Sequence, residues 1–240
     1  MKAGLIGYPV KHSLSPLIHQ VFMSHFNIKG EYLLFSVAPE NFMERAAFLG
    51  SDGYSGVNVT VPHKKAAAEF CDVLSDEASS ACAVNTILFS SRGAVGYNTD
   101  VQGFRAIAGS FPRPLAVVGN GGAAAAIRVA EKGNVISVNS RSGSLPENLP
   151  STGTVVNATP LGWRDDDSFP IQVPPEWAFI DLNYNSRWRW RNSLKNVKVA
   201  TGEEMLVEQA ACSFRIWTGH KPGIRVKAEA LKRIRSGFNE

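Results

Sequence analysis

Apolar and polar positions along this chain switch repeatedly between two periods. Ala3 to Gly7 is a short apolar run that predicts a strand, and Leu17, Val21, Phe22 and Phe26 follow near helical spacing. Ser15 before Pro16 predicts the N-cap and first position of that helix, because the N–H that proline lacks would have no partner there anyway. EYLLFSV, residues 31–37, predicts a strand, and Pro39 to Leu49 a helix ended by Gly50. In GVNVTVPHK, residues 56–64, Val57, Val59 and Val61 alternate with Asn58 and Thr60, the pattern of a half-buried strand. Pro62 stops that strand, since it has no N–H to give to a ladder. Helical turns follow over 64–70 and 75–81, a strand over 84–89, and a helix from about 98–100 with Thr99 or Asp100 as its cap.

After FPRP, residues 111–114, the alternation continues. Leu115 to Val118 predicts a buried strand, 119–122 a glycine turn, and Ala123 to Lys132 a helix that Gly133 closes. Strands are predicted over 135–141, 154–159 and 178–184, and helices over 203–219 and roughly 224–237. Strand and helix alternate without an internal repeat, so the class is α/β, with two halves joined by short linkers around a cleft.

Composition adds limits. The chain has 240 residues, 44% hydrophobic and 19% charged, ordinary for a protein that buries a core. A net charge of +4 favours acidic small molecules or phosphates and does not call for nucleic acid. Cys71, Cys82 and Cys212 are scattered and odd in number, which points away from a disulfide framework or a zinc site and toward a reducing compartment. The histidines show no metal spacing, so no metal is expected. The N-terminal apolar run is too short for a signal peptide, and no stretch approaches the ~20 residues of a membrane span, so a cytoplasmic protein is expected.

The glycine turn carries a mechanism. Gly119-Asn120-Gly121-Gly122-Ala123-Ala124 fits G-x-G-x-x-A between a strand and a helix, where backbone N–H groups can meet a pyrophosphate at the positive helix end. Sites for NAD place an acidic residue some 20 positions on, against the ribose 2′-hydroxyl. Here Asn139-Ser140-Arg141-Ser142 stands instead, and an arginine between hydroxyls suits a 2′-phosphate, so NADP is expected over NAD. In the first half, Ser13, Ser15, Asn85, Thr86, Asn98, Thr99 and Asp100 put several polar groups on strand ends and loops, which suggests a site for a polyhydroxylated ligand.

Taken together, GYPVKHSLSPLIH, GVNVTVPHK, AVNT, GYNTD, GNGGAA, NATPLG, DLNY and GEEMLVEQAA span nearly the whole chain, in an order that resembles the shikimate/quinate dehydrogenase family. The resemblance implies NADP-dependent reversible oxidation of the ring 3-hydroxyl of shikimate, run in biosynthesis as reduction of 3-dehydroshikimate. It implies an N-terminal α/β substrate domain from residues 1–100 and 203–240, and a Rossmann domain from 101–202. Lys64 and Asp100 match the catalytic pair. Ser13, Ser15, Asn58, Thr60, Asn85, Tyr184 and Gln209 match groups around the substrate. Gly119, Asn120, Gly121, Gly122 and Ala123 match the pyrophosphate turn, and Ser140 and Arg141 the 2′-phosphate contact. Asn157, Thr159, Gly202 and Met205 match residues near the nicotinamide, and His63 is a bystander beside Lys64.

Three features depart from the family pattern. Leu145 stands where a second arginine is expected. Residues between Arg141 and Asn157 are too few and too rich in proline for the usual elements, so a helix and a strand are expected to be missing from a trimmed Rossmann domain. Arg187-Trp188-Arg189-Trp190-Arg191 could stack on bases and neutralise phosphates, but the small net charge and the lack of a nucleic-acid module favour a surface segment. Quinate as substrate, NAD as cofactor and a ligand-binding paralogue without turnover are the alternatives, and intact Lys64 and Asp100 argue against the last. The protein is expected to act on small molecules as a monomer or homodimer.

Overall fold

The computed structural model describes residues 1–132, 134–139, 145–162, 169, 171–184, 194 and 197–236. These divide into two compact units, one of Met1–Gly103 with Leu206–Glu240 and the other of Phe104–Met205.

In the first unit the chain forms β1 (Lys2–Gly7), α1 (Ser15–His25), β2 (Glu31–Ser36), a 3-10 turn at Pro39–Asn41, α2 (Phe42–Ser51), β3 (Gly56–Val59), α3 (Lys64–Phe70), β4 (Val73–Leu74), α4 (Asp76–Ala81), β5 (Thr86–Ser90), β6 (Gly93–Tyr97) and the start of α5 (Thr99–Ala108). The strands form one mixed sheet in the order β2-β1-β3-β5-β6-β4. β1 runs parallel to β2 and β3, while β5 is antiparallel to both β3 and β6. The glycine-rich β6, GAVGY, and the two-residue β4 give too little apolar periodicity to be foreseen.

The second unit contains β7 (Leu115–Val118), α6 (Gly122–Glu131), β8 (Val135–Val138), β9 (Thr154–Asn157), β10 (Ala178–Asp181), β11 (Val199–Thr201) and the start of α7 (Gly202–Thr218); α8 (Ile224–Ser236) lies in the first unit. Its sheet is parallel throughout, in the order β11-β10-β9-β7-β8. Among the described residues this is the doubly wound pattern with one outer strand fewer beyond β8, and the order reverses between β7 and β9. Among the described residues helices line one face only, through Phe104, Ile107, Ala124, Ile127 and Met205. Trp177, Ile171, Leu145, Leu149 and Phe169 cover the other face from loops. Leu145 therefore packs onto the sheet, which explains a leucine where the family pattern suggests an arginine.

Several local expectations shift. Leu14, not Ser15, is the cap position of α1, and no side chain caps it; Ser15 is the first helical residue. Gly50 lies inside α2, which runs on to Ser51. Asp100 sits in the first turn of α5 rather than at its cap. α6 ends with Lys132 in the left-handed region, at φ 43°, and Gly133 lies outside the described residues. The half-buried reading of β3 is corrected too, because all four of its residues are buried. β3 is an inner strand: Val57 and Val59 pack with Phe42, Ala46, Leu49 and Ala67 on one face. The opposite face is covered by α1, α7 and α8 through Ile18, Phe22, Val207, Phe214 and Ala230. Asn58 points that way, into the protein.

Under that layer His19 of α1 is fully buried, its ring stacked on Tyr32 at 4.2 Å between centroids and 8° between planes. Among the described residues neither ring nitrogen has a hydrogen-bond partner. Burial lowers its pKa from 6.5 to about 3, with the nearby Asn58 amide pulling weakly the other way. The unfolded chain thus binds a proton that the folded chain refuses between those values, and stability falls as pH drops through that window. At pH 5 the loss is about 2 kcal/mol, from 1.36 kcal/mol per pKa unit. His19→Phe should shrink the drop in unfolding free energy between pH 7 and pH 5 by roughly that amount. Denaturant titrations at both pH values check it, and equal drops in the two proteins would refute it.

Candidate active site

Strand direction decides which residues meet in the first unit. β1, β3 and β6 point one way and β5 the other. The C-terminal ends of β1, β3 and β6 therefore share an edge of the sheet with the N-terminal end of β5. Ser13 and Ser15 follow β1, Thr60 and Lys64 follow β3, Asn85 precedes β5, and Asp100 follows β6. Residues scattered over 88 positions of sequence are gathered at one end of one sheet.

β3 ends at Val59, and the turn after it is built by backbone bonds. The Thr60 N–H donates to the Ile6 carbonyl at 2.9 Å, and the Thr60 carbonyl accepts from His63 N–H at 2.9 Å. α3 then opens at Lys64, whose carbonyl accepts from Val84 N–H at 2.9 Å. His63 is buried on Phe42, with Nε2 2.8 Å from the Val37 carbonyl. It anchors the turn. Lys64 Nζ donates to Asp100 Oδ2 at 2.5 Å, with 16% and 11% of the two side chains exposed. An ammonium has three N–H donors, so two remain free to face a ligand among the described residues.

Behind Asp100 lies a buried relay of amides and hydroxyls. Asn85 Nδ2 donates to Asp100 Oδ1 at 2.9 Å. Asn85 Oδ1 accepts from the Thr99 backbone N–H at 2.7 Å and from the Thr86 and Thr99 hydroxyls at 3.1 Å each. Turning that amide over would set a carbonyl against a carboxylate and an NH2 against an N–H, so its orientation is fixed. Asn58 stands one layer further in. Its Oδ1 accepts from Tyr32 OH at 2.8 Å, and its Nδ2 faces Ser213 Oγ at 2.9 Å, Thr86 Oγ1 at 3.0 Å and the Asn85 carbonyl at 3.2 Å. Every polar atom of Asn58 is spent within the protein, so the structure places it behind the site and not among groups open to a ligand. Gln209 reaches the same network, its Oε1 3.5 Å from Asn85 Nδ2 and 3.4 Å from Thr99 Oγ1. Toward the open end, the Ser13 hydroxyl donates to Ser15 Oγ at 3.2 Å, and the Thr60 hydroxyl has no partner among the described residues.

In the second unit, parallel strands put every loop of interest at their C-terminal ends. The glycine turn leaves β7 at the point where strand order reverses, which is where such sheets bind ligands. Gly119 has φ 118°, and a Cβ there would lie 2.8 Å from the Ala158 carbonyl at the end of β9. At Gly121 a Cβ would meet nothing within 4 Å, and no side chain caps α6. The turn with Asn120, Gly121, Gly122 and Ala123 thus leaves open space before the first amides of a helix, which fits a pyrophosphate.

Asn157 and Thr159 are occupied otherwise. Asn157 Nδ2 donates to the Leu161 carbonyl and to Asp181 Oδ1, both at 3.0 Å, and its Oδ1 accepts from the Thr159 hydroxyl at 2.6 Å. Asn183 Nδ2 donates to the carbonyls of Thr159 and Leu161 at 3.1 and 2.6 Å, locking the β9 and β10 loops together. These side chains shape the loops. Met205 is buried in the apolar cluster with Phe104 and Ile180. A Cβ on Gly202 would lie 2.0 Å from the Leu182 carbonyl, so glycine there admits the start of α7 close to the β10 loop. Burial pushes the Tyr184 hydroxyl pKa up. Ser140, Arg141 and the Arg187–Arg191 segment lie outside the described residues.

Sequence reasoning missed Tyr32, Ser213, Asp181 and Asn183. The spacing of Ser213 four residues after Gln209, on one helix face, was the available signal. Among the described residues no cluster of three histidine, cysteine or acidic side chains could hold a metal ion, and no helix is long and apolar enough to cross a membrane.

A glycine turn at the switch point of a parallel sheet in one unit, and a lysine–carboxylate pair backed by buried amides in the other, are the marks of a dinucleotide-dependent oxidoreductase. The comparisons name the kind. Residues 5–87 match the model of the shikimate dehydrogenase substrate binding domain, and residues 202–232 that of the shikimate 5′-dehydrogenase C-terminal domain. The chain is 36% identical to the NADP(+) shikimate dehydrogenase of Archaeoglobus fulgidus, over 96% of this chain and 97% of that one. It is 34% identical to the enzyme of the same name from Acidiphilium cryptum, covering 92% and 91%. Its fold matches the shikimate 5-dehydrogenase of Thermus thermophilus, solved with NADP(H) and shikimate, with a TM-score of 0.84 and 33% identity over 97% and 99% of the chains. The chain belongs to the shikimate dehydrogenase family. Its alignment with the A. fulgidus protein runs over 265 positions against 240 residues here, so this chain lacks residues which that relative has.

Gly119→Ala should destabilise the second unit by about 1–3 kcal/mol, combining left-handed strain with a steric conflict against a backbone carbonyl. Urea unfolding followed by Trp fluorescence measures this, and a midpoint equal to that of the unaltered protein would contradict it.

Proposed function

We propose that this chain interconverts 3-dehydroshikimate and shikimate with NADPH or NADP+, reducing the ketone in the biosynthetic direction. The observation that carries the reading is the Lys64–Asp100 pair at 2.5 Å, with Asp100 held from behind by Asn85. Its family membership and the NADP-dependent relatives support the choice of substrate and cofactor.

Bound NADPH would supply hydride to the ring carbonyl. Reduction builds negative charge on the carbonyl oxygen, and a lysine ammonium beside it stabilises that charge and delivers the proton. Asp100, gripped by Asn85, fixes the direction in which Lys64 points its remaining N–H groups. In the oxidative direction the same lysine takes the hydroxyl proton. The Ser13 and Ser15 hydroxyls are read as donors to the ring carboxylate, and Thr60, Asn85, Gln209 and Tyr184 as partners for the ring hydroxyls and carboxylate end. Asn58 supports that set from beneath.

The backbone from Gly119 to Ala123 would hold the pyrophosphate, and Ser140 and Arg141 the 2′-phosphate that favours NADP. Asn157, Thr159, Gly202 and Met205 are read as shaping the nicotinamide end through loop geometry and packing. The ligands are small molecules rather than nucleic acid. The free thiols of Cys71, Cys82 and Cys212 suit a reducing cytoplasm.

Purified protein given shikimate or quinate, each with NADP+ or NAD+, should form reduced cofactor fastest with shikimate and NADP+. Absence of turnover in all four combinations would end the enzyme reading. Lys64→Ala should lower kcat by about 10²–10⁴-fold, the range for losing a general acid–base group, while NADP+ affinity by calorimetry stays close to that of the unaltered protein. A fully active Lys64→Ala protein would remove Lys64 from the mechanism.

A further inference from the structure

The relay behind Asp100 contains one hydroxyl that no sequence motif singled out. Resting on the functional reading above, we propose that Ser213 is a positioning residue for the catalytic pair, acting through Asn85 without touching substrate.

Ser213 is fully buried on α7, one helical turn beyond Gln209. Its Oγ donates to the Gln209 carbonyl at 3.0 Å, which commits its hydrogen and leaves its lone pairs to the network. They face Asn58 Nδ2 at 2.9 Å, Thr86 Oγ1 at 2.9 Å and Thr99 Oγ1 at 3.3 Å. One oxygen on α7 thus meets β3, β5 and the first turn of α5 together. Tyr32 fixes the polarity from the far side, since its hydroxyl donates to Asn58 Oδ1 and so turns the NH2 of Asn58 toward Ser213 and Thr86. Thr99 Oγ1 aims its hydrogen at Asn85 Oδ1, while the Thr86 hydroxyl, which accepts from Asn58 Nδ2, shares its hydrogen between Ser213 Oγ and Asn85 Oδ1.

Removing the Ser213 oxygen takes away the nearest of three acceptors around Asn58 Nδ2, whose two N–H groups then draw harder on Thr86 Oγ1 and the Asn85 carbonyl, and it opens a space into which both threonine side chains can shift. Asn85 would keep Asp100 on its NH2 and the Thr99 backbone N–H on its carbonyl, but the two hydroxyls that also hold its carbonyl would no longer be held in place. Asp100 then rests on a less tightly held donor opposite Lys64, and the aim of the lysine loosens. An unsatisfied buried polar group is a costly thing to leave in place, so the network will rearrange rather than stay as it is.

The test compares Ser213→Ala, Ser213→Thr and the unaltered protein, with kinetics normalised to titrated active sites. Side-chain amide hydrogen exchange of Asn58 and Asn85 is followed by NMR in the free protein, and melting temperature is recorded. Ser213→Ala should lose about tenfold in kcat, the equivalent of one buried hydrogen bond, with KM for NADP+ unchanged and faster exchange of the Asn85 amide protons. Ser213→Thr, which restores the hydroxyl, should recover kcat to within about threefold. If its extra methyl lowers the melting temperature, Ser213→Cys takes its place and should fall between the two. A kcat in Ser213→Ala equal to that of the unaltered protein would overturn the proposal. Equal losses in the Ala and Thr variants at unchanged melting temperature would do the same. Should the unaltered protein not turn over shikimate, the functional reading fails. Amide exchange then decides the positioning role alone, and exchange unchanged in Ser213→Ala overturns it.

Discussion

An amide side chain has a direction, and Asn85 uses both ends of it. Three donors meet its carbonyl oxygen, and its NH2 meets the Asp100 carboxylate. Neither end can be exchanged for the other without placing like against like in a buried setting, where an unpaired or mispaired group costs most. Lys64 is aimed only because Asp100 is, and Asp100 is aimed because Asn85 cannot turn. The sheet exists at this point to bring the three together: β5 lies between β3 and β6, so the residue before β5 sits between the residues that follow its neighbours.

Much of this was legible beforehand, for reasons particular to each element. The valines of β3, the glycine turn and the apolar stripe of α7 announce themselves through period and through glycine's special backbone. Lys64, Asp100 and Asn85 stand out because polar residues interrupt apolar runs near strand ends. Asn58 was legible as an anomaly and misleading as to direction. Alternation says that a polar residue faces away from the valines, but it does not say whether water or another helix lies on that side. Here α7 does, and Asn58 meets Ser213 instead of solvent. Tyr32 and Ser213 were invisible for the same reason, since a tyrosine in a strand and a serine in a helix have no pattern until their partners are known. β6 was missed because GAVGY carries two glycines and little periodicity.

The second unit teaches a related lesson about loops. NATPLG and DLNY look like ligand-binding motifs, and they supply polar side chains at the ends of β9 and β10. Yet Asn157, Thr159 and Asn183 spend their hydrogen bonds on one another and on nearby backbone. Such residues give two adjoining loops a single shape, and any ligand there would meet the surface they hold in place.

The face of that sheet covered by loops has a thermodynamic consequence. A helix would organise its own backbone through internal hydrogen bonds while covering Val155 and Phe179. The loops that do so here carry Pro146, Pro150, Pro174 and Pro175, and Trp177 is bound to the Pro150 carbonyl at 3.2 Å. Proline limits the conformations open to the unfolded chain, so less freedom is surrendered when the loop settles. The shortened unit therefore draws part of its stability from the stiffness of its denatured state, a contribution that no contact in the folded molecule displays.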